Sequence, residues 1–341
     1  MNGSVQLYQR CKDASITVAN WYHSLMNQTD QPSVRIIQVG AGEEGQRIDN
    51  YLMTQLKGVP KSRIYRILRT GEVRVNSGRI KPTYRIKAGD AVRIPPLRMA
   101  EAEAPVRPGD RVLERVNSSI IYEDKGLLVV NKPSGLAVHG GSGLSYGLIE
   151  ALRALRPEAP FLELGHRLDR DTSGCIVIAK KRSVLRAFHE LLREGGSDKR
   201  YLALLKGRWQ GGERRVEAPL LKNVTQSGER MVKVAADGKE ALTIFRPVAI
   251  YKDATLVEAE LITGRTHQVR VHAAHIGHPI AGDDKYGDEA FNRRMAEVGL
   301  KRLFLHASAI NFTLSESGQE ISVSAPLGDE LRAVIDRLEA E

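Results

Sequence analysis

The sequence predicts an α+β fold in two parts: a small domain of two helices and a hairpin sheet over residues 34–98, and a larger domain over 118–341. The larger domain is expected to hold a mixed, mostly antiparallel sheet flanked by helices. Three observations carry this reading. Residues 47–70 have helical apolar spacing and then give way to short alternating runs. Beyond residue 118, strand-like runs follow one another with few helices between them, too closely for a doubly wound parallel sheet. Between the two lies Pro95-Pro96 and then 100-AEAEAPVRPGD-110, a stretch without helical or strand period that reads as part of a linker over 99–117.

Taken in order, residues 1–33 are mixed and polar and read as a flexible tail. Ile48, Leu52 and Leu56 then recur on one helical face. Pro60-Lys61-Ser62 opens a second helix, which buries Ile64, Ile67 and Leu68 and sets Arg63, Arg66 and Arg69 in a neighbouring stripe; Gly71 ends it. Val73 and Val75 alternate with polar residues, Asn76-Ser77-Gly78 turns the chain, and Ile86, Val92 and Ile94 continue the strand pattern around Gly89-Asp90. In the larger domain the strand-like runs fall at 119–124, 127–133, 175–181, 201–207, 241–248, 255–262 and 303–312. Helices are expected around 183–194, 266–276 and the C-terminus.

The chain carries 51 Lys/Arg and 41 Asp/Glu, for a net charge of +10. Residues 46–98 hold thirteen of the basic residues and three of the acidic ones, which leaves 38 of each elsewhere. The whole excess is confined to the small domain. A polyanion is the natural partner for such a segment, and nucleic acid the foremost candidate; Lys61, Arg63, Arg66, Arg69, Arg79 and Lys81 are the cations expected to meet it. The bland alternative is a solvated basic surface. Aromatic content of 5% argues against a recognition sheet built on stacked rings. The two cysteines, Cys11 and Cys175, have no near partner, so a structural disulfide or cysteine-based metal site is not expected and a reducing cytoplasm fits. No apolar run approaches the roughly 18 residues of a membrane span, no secretory signal is recognised, and a monomer is the default expectation.

The stretch 165-GHRLDRDTSG-174 packs two carboxylates among basic residues directly before an apolar run, 176-IVIA-179. Asp171-Thr172-Ser173-Gly174 is reminiscent of aspartic proteases, but those need two such carboxylates sharing a proton, and the chain has no second copy. Four histidines in 267-HQVRVHAAHIGH-278 suggest metal ligands, yet no acidic residue lies among them and Arg265 and Arg270 would repel a dication. Structural histidines on a helix are the better reading, and no metal is expected.

Two further sets of residues point to families. The segment 61-KSRIYRILRTGEVRVNSGRIKP-82 resembles the alpha-L RNA-binding domain, found in a ribosomal small-subunit protein and in several RNA-modifying enzymes. The stretches 130-VNKPSGLAVHGG-141, 165-GHRLDRDTSGCIVIAKK-181, 199-KRYLALLKG-207 and 263-TGRTHQVRVHAAHIGHPIAGDDKYG-287 occur in one order, and together with the basic domain they resemble the RluA-type pseudouridine synthases. The likeness runs from about residue 34 to the C-terminus. It implies an isomerase that converts uridines of RNA, with 23S ribosomal RNA as substrate, to pseudouridine without a cofactor.

By the same resemblance Asp169 is the catalytic aspartate, Tyr201 the active-site tyrosine and Arg265 the counter-ion that keeps Asp169 charged. Arg167 is expected to fill the stack vacated by the extruded base or to hold its phosphate, and Leu261 to form an apolar wall of the substrate pocket. Arg170 and Asp171 are expected to brace the loop, and Lys132 and His139 to have structural or RNA-lining roles. Detaching uracil at N1, turning it and rejoining it through C5 moves no electrons in or out, so one ionised carboxylate is the essential group. Whether it attacks the sugar, attacks the base or removes a sugar proton is left open by the sequence. The competing reading is an RNA-binding ribosome-assembly factor with a vestigial catalytic domain.

Overall fold

A computed structural model of the chain describes residues 33–56, 58–97, 107–141, 144–224, 230–314 and 318–341. Nearly all of the expected tail and residues 99–106 of the expected linker lie outside the described residues. The chain divides into two compact units at residues 104 and 105.

In the first unit, strand β1 (Arg35–Gln38) precedes helices α1 (Ile48–Gln55) and α2 (Lys61–Thr70) and strands β2 (Arg74–Val75), β3 (Gly78–Arg79) and β4 (Ala91–Ile94). The antiparallel sheet has the order β1-β4-β2-β3. Ile48, Leu52 and Leu56 pack with Ile64, Ile67 and Leu68 onto Val73, Val75, Ile86, Val92 and Ile94, the apolar set read from the sequence. Asn76 and Ser77 both adopt positive φ, 48° and 67°, as a two-residue hairpin turn requires. The Asn76 side chain donates to Asp90 and accepts from the Ala91 N–H, which secures that costly conformation.

The second unit opens with helix α3 (Asp110–Ser118), all but its last residue inside the stretch expected to be linker. Leu113 and Val116 are buried there; the preceding Pro, Ala and Glu residues obscured a short apolar spacing that starts only at Val112. There follow β5 (Ile120–Glu123), β6 (Leu127–Lys132), α4 (Leu148–Leu155), β7 (Glu163–Leu164), β8 (Ser173–Ala179), α5 (Arg182–Glu194) and β9 (Ser197–Lys206). Next come β10 (Arg214–Glu217), β11 (Leu220–Val224), β12 (Arg230–Val234), β13 (Leu242–Ile250), β14 (Ala254–Leu261) and α6 (Gln268–His275). The chain ends with α7 (Glu289–Glu297), β15 (Leu305–Leu314), β16 (Gln319–Ser324) and α8 (Asp329–Glu339).

One sheet dominates, in the order β10-β13-β14-β9-β15-β8-β6-β5, with β16 beside β15 and β7 beside β8. Its pairs are antiparallel except β15 with β8. This is the mixed, mostly antiparallel α+β architecture the sequence predicts. The near-continuous apolar run of β9 is explained by cover on both faces. Tyr201, Ala203 and Leu205 join the main core, whereas Leu204 packs with Phe291, Met295, Leu331 and Val334 of α7 and α8.

The central strands are held close by Gly174. It adopts φ +109°, and a Cβ there would stand 2.2 Å from the Ala307 carbonyl oxygen of β15. A side chain at this position would force β8 away from β15, and the loop before β8 would move with it.

Candidate active site

Asp169 sits on the loop that enters β8, and this loop is fixed from several sides. The Gly165 N–H donates to the Val177 carbonyl at 2.7 Å, and the Val177 N–H donates to His166 Nε2 at 3.0 Å. Lys132 is fully buried, and its ammonium donates to the carbonyls of Pro133, Leu136 and Arg170 at 3.0, 2.8 and 2.9 Å. Burial pulls its pKa down to about 7, against the opposing pull of Asp171 and Asp169. The Ser134 hydroxyl donates to the Asp171 carbonyl at 2.7 Å, so two loops are tied together beneath Asp169. Arg170 and Asp171 pair with each other at 3.2 Å on the exposed side of the loop.

At the loop's far end, Ser173 is placed by a buried network. Its hydroxyl lies 2.9 Å from His306 Nδ1, and His306 Nε2 lies 3.1 Å from the Ala325 carbonyl. A carbonyl only accepts, so Nε2 carries the proton and Nδ1 receives the Ser173 hydroxyl. Arg302 donates to the same hydroxyl at 3.1 Å.

Asp169 faces a cavity of about 520 Å³ whose lining includes Tyr201, Leu261, Arg265, His267 and Arg270. Its side chain retains 20% of its exposure. Arg270 Nη1 stands 3.5 Å from Asp169 Oδ2, and the remaining guanidinium edge is spent on buried Asp283, with Nε and Nη2 donating at 2.7 and 2.6 Å. Asp283 is further held by the N–H groups of Lys285 and Tyr286. These contacts, the Arg270 hydrogen bonds foremost, outweigh burial and keep its pKa below the ordinary carboxylate value.

The cation beside Asp169 is therefore Arg270, and the expectation for Arg265 is corrected. Arg265 is exposed on the cavity lining, where its Nε donates to the Glu240 carbonyl at 2.9 Å. The helix begins later than its sequence suggested. Gln268 holds the preceding turn by accepting from the Thr263 hydroxyl and the Arg265 N–H, and it donates to the Leu242 carbonyl and Thr243. The chain thus enters α6 through His267, and Arg270, buried in the first turn with its neighbours, is the residue whose charge reaches Asp169.

His267 was not singled out as a site residue by sequence reasoning. It takes a left-handed φ of 53°, rare outside glycine, and so turns its ring toward Asp169, with Nε2 3.7 Å from Oδ2. Its Nδ1 lies 2.7 Å from the Tyr286 hydroxyl, which itself accepts from the Val232 N–H at 2.9 Å. Burial lowers the His267 pKa; Arg270 and Lys285 push the same way and Asp169 opposes them. Tyr286 was missed as well, although the acidic and aromatic run 283-DDKY-286 is the partner set that a buried helical arginine demands.

Tyr201 and Leu261 lie in the same cavity lining and are buried. Burial, and then the negative charge of Asp169, raise the Tyr201 pKa. Arg167 also lines the cavity but is exposed, and its guanidinium has no hydrogen bond or ion pair among the described residues. His272 lies between Thr243 Oγ1 and the Ala218 carbonyl, each at 2.9 Å, and His278 Nδ1 meets the Lys206 carbonyl at 2.8 Å, so both are engaged as structural groups.

In the first unit, Lys61, Arg66, Arg69, Arg79 and Lys81 are exposed and Arg63 half-buried. Two of the three acids of this basic segment are withdrawn from the surface. Asp49 accepts from Arg47, the Asn50 N–H and Tyr65; Asp90 accepts from Asn76, Tyr84 and the Lys87 N–H. Of the six cations, Arg79 donates to the Thr70 carbonyl at 2.6 Å. The other five have no ion-pair partner among the described residues.

Comparison with known proteins agrees with both halves of this description. Residues 126–275 match the family model of RNA pseudouridylate synthases, and residues 46–92 match that of the S4 domain. A ribosomal large subunit pseudouridine synthase C of Escherichia coli O157:H7 is 58% identical over 314 residues, covering 91% of this chain and 98% of that protein. The protein of that name from Pasteurella multocida is 55% identical over 307 residues, covering 90% and 94%. Among solved structures, human RNA pseudouridylate synthase domain containing 4 aligns with a TM-score of 0.56 at 26% identity, covering 67% of this chain and 96% of that one. With such identity extending along nearly the whole length of its relatives, this chain belongs to the RluA-type family of RNA pseudouridine synthases.

Proposed function

We propose that this chain isomerises uridines of large-subunit (23S) ribosomal RNA to pseudouridine, with Asp169 as the catalytic carboxylate. The observation that carries the assignment is the make-up of the cavity. Among the described residues Asp169 is the single carboxylate in a lining that also holds Arg167, Arg193, Lys199, Arg265 and Arg270. Such a pocket admits a polyanion and presents it with one acidic group.

The reaction breaks the N1–C1′ bond, turns the uracil and forms a C5–C1′ bond, and the proton lost from C5 is balanced by one gained at N1. Substrate and product are isomers, so the chain's own residues must hold the base, supply one reactive carboxylate and handle one proton. Asp169 serves attack on the sugar, attack on the base or removal of a sugar proton only while ionised, and Arg270 sets a positive charge 3.5 Å from it. Tyr201 offers a ring on which the detached uracil can stack while it turns, and Leu261 an apolar wall. A stacked base must leave its helix to reach Asp169, at a cost of about a few kcal/mol. Arg167, exposed beside the cavity, is placed to fill the gap. The names of the relatives supply the ribosomal substrate, and the cations of the first unit supply a means of gripping it. The proposed setting is the cytoplasm and the proposed working form a monomer.

The test is to incubate unmodified large-subunit rRNA transcript with the protein and map pseudouridine chemically. Wild type is expected to modify discrete uridines and Asp169→Asn none. Binding without isomerisation by the wild type would instead identify an assembly factor.

A further inference from the structure

The geometry points to Lys199 as a phosphate subsite inside the catalytic cavity, taking the phosphodiester of the nucleotide being isomerised. The inference rests on the reading above that the cavity accepts a uridine of RNA.

Lys199 lines the cavity and is half-buried, yet its ammonium has no hydrogen bond or ion pair among the described residues. Other lysines of this unit that leave the surface are satisfied: Lys132 by three carbonyls, Lys180 by Glu123 at 2.6 Å and Lys206 by Asp288 at 2.7 Å. Burial lowers the Lys199 pKa. A partly desolvated cation without a partner is costly to keep unless a ligand supplies the anion.

Asp169 is not that anion. No ion pair joins Lys199 to Asp169 among the described residues, whereas Arg270 Nη1 and His267 Nε2 stand 3.5 and 3.7 Å from its Oδ2. The ammonium therefore lies beyond ion-pair distance of the carboxylate. An ammonium serving the departing uracil would have to sit beside Asp169 and Tyr201.

The strand supplies the spacing. Lys199 and Tyr201 lie two residues apart on β9, so they point to the same face about 7 Å apart along the chain. Tyr201 is the buried member and Lys199 the more exposed one. Lys199 Nζ would be 3.8 Å from a Cβ at Gly264, and apart from Gly264 and its chain neighbours no other described atom lies within 4 Å of that point, so there is space next to the ammonium. A uracil on Tyr201 and a ribose at Asp169 leave the nucleotide's phosphate toward Lys199. Base, sugar and phosphate thus each meet one group, in the order in which a nucleotide presents them.

The experiment uses full-length protein and an RNA in which wild type forms pseudouridine, made with ordinary phosphodiesters or with one uncharged methylphosphonate on either side of the target. Lys199→Met is expected to raise KM about tenfold, the loss of one charge-assisted contact, with kcat changed by less than about twofold. Lys199→Arg should recover most of the loss. The dependence of log(1/KM) on log salt should become shallower by about 0.7, the share of one phosphate in single-stranded RNA. One of the two methylphosphonates should weaken wild type by the same factor and leave Lys199→Met unaffected. A fall in kcat at constant KM, equal sensitivity of both proteins to the neutral linkages, or wild-type behaviour of Lys199→Met would each overturn the inference. Thermal unfolding of the variants confirms that folded protein is compared. Absence of pseudouridine with wild type is a different result, and it would sink the proposed function itself.

Discussion

Arg270 approaches Asp169 with one nitrogen, 3.5 Å from Oδ2, while its other edge is locked to Asp283 by two hydrogen bonds of 2.7 and 2.6 Å. The orientation of the guanidinium is set by Asp283, so it does not depend on what Asp169 is doing. A counter-ion that wrapped Asp169 in a bidentate pair would occupy the lone pairs needed for reaction. This one supplies charge from a fixed position and leaves the carboxylate open to the cavity. A lysine cannot copy it, because a compact ammonium lacks the planar fork that serves two acids at once.

Arg270→Lys is accordingly expected to lower kcat about a hundredfold while the protein still folds. Arg270→Met strands buried Asp283 and should destabilise the protein by about 3–5 kcal/mol in urea unfolding. Adding Asp283→Asn should restore much of that stability and none of the rate. Recovery of rate in the double variant would show that the arginine serves the fold alone.

Tyr201 should act as a neutral phenol. Burial and the adjacent negative charge of Asp169 both disfavour phenolate, so the folded pKa lies above the ordinary value of 10. The ring thus keeps its proton throughout neutral pH, and kcat should not climb between about pH 7 and pH 9. Tyr201→Phe should give a parallel profile at lower rate. Tyr201→Ala also loses the stacking platform, worth about 1–3 kcal/mol or roughly ten- to a hundredfold. A tenfold rise per pH unit in wild type, absent from the phenylalanine variant, would mean that phenolate is the working form.

The sequence made the first unit legible almost residue by residue, because its core is local: two helices with four-residue apolar spacing and a hairpin marked by Asn76-Ser77-Gly78. In the second unit seven strands were legible from their apolar runs, whereas β7, β10, β11, β12 and β16 are short or largely polar and were not. The motif around Asp169 marked the loop that faces the cavity. The counter-ion was not. Arg265 and Arg270 sit five residues apart in one motif, and choosing between them required knowing that His267 takes a left-handed turn and that α6 starts only at Gln268. The choice also depended on Asp283, thirteen residues further along the chain. Helix α3 was hidden for a different reason, its short apolar spacing starting directly after a Pro- and Ala-rich stretch.

Acid should destabilise the protein before its carboxylates protonate, through His166. Burial lowers its pKa from 6.5 to about 4, with the charge of Lys199 helping, while Nε2 accepts the Val177 N–H. A histidine depressed in the fold binds its proton first in the unfolded chain, so stability is lost as pH falls below 6.5 and the loss is complete near 4. At pH 5 the contribution is about 2 kcal/mol relative to pH 7. Urea unfolding of wild type and His166→Asn at both pH values checks this. The gap between the two proteins should narrow by about that amount at pH 5, and a constant gap would show that His166 is not held neutral.

The cations of the first unit should govern affinity and leave the chemical step alone. Arg66 and Arg69 are exposed on α2 and have no ion-pair partner among the described residues, while Asp49 and Asp90 are engaged internally and do not screen them. Each phosphate neutralised by one of them releases counterions, which gives a salt slope of about 0.7–0.9 per contact. Replacing Arg66 and Arg69 together by Gln should therefore make log Kd against log salt shallower by about 1.4–1.8. At saturating RNA, kcat should be unchanged, because neither residue lies among those lining the cavity around Asp169. Filter binding at several salt concentrations, paired with single-turnover rates, separates the two effects. An unchanged slope would place the gripping surface elsewhere on the molecule, and a slower single turnover would give α2 a part in presenting the target uridine.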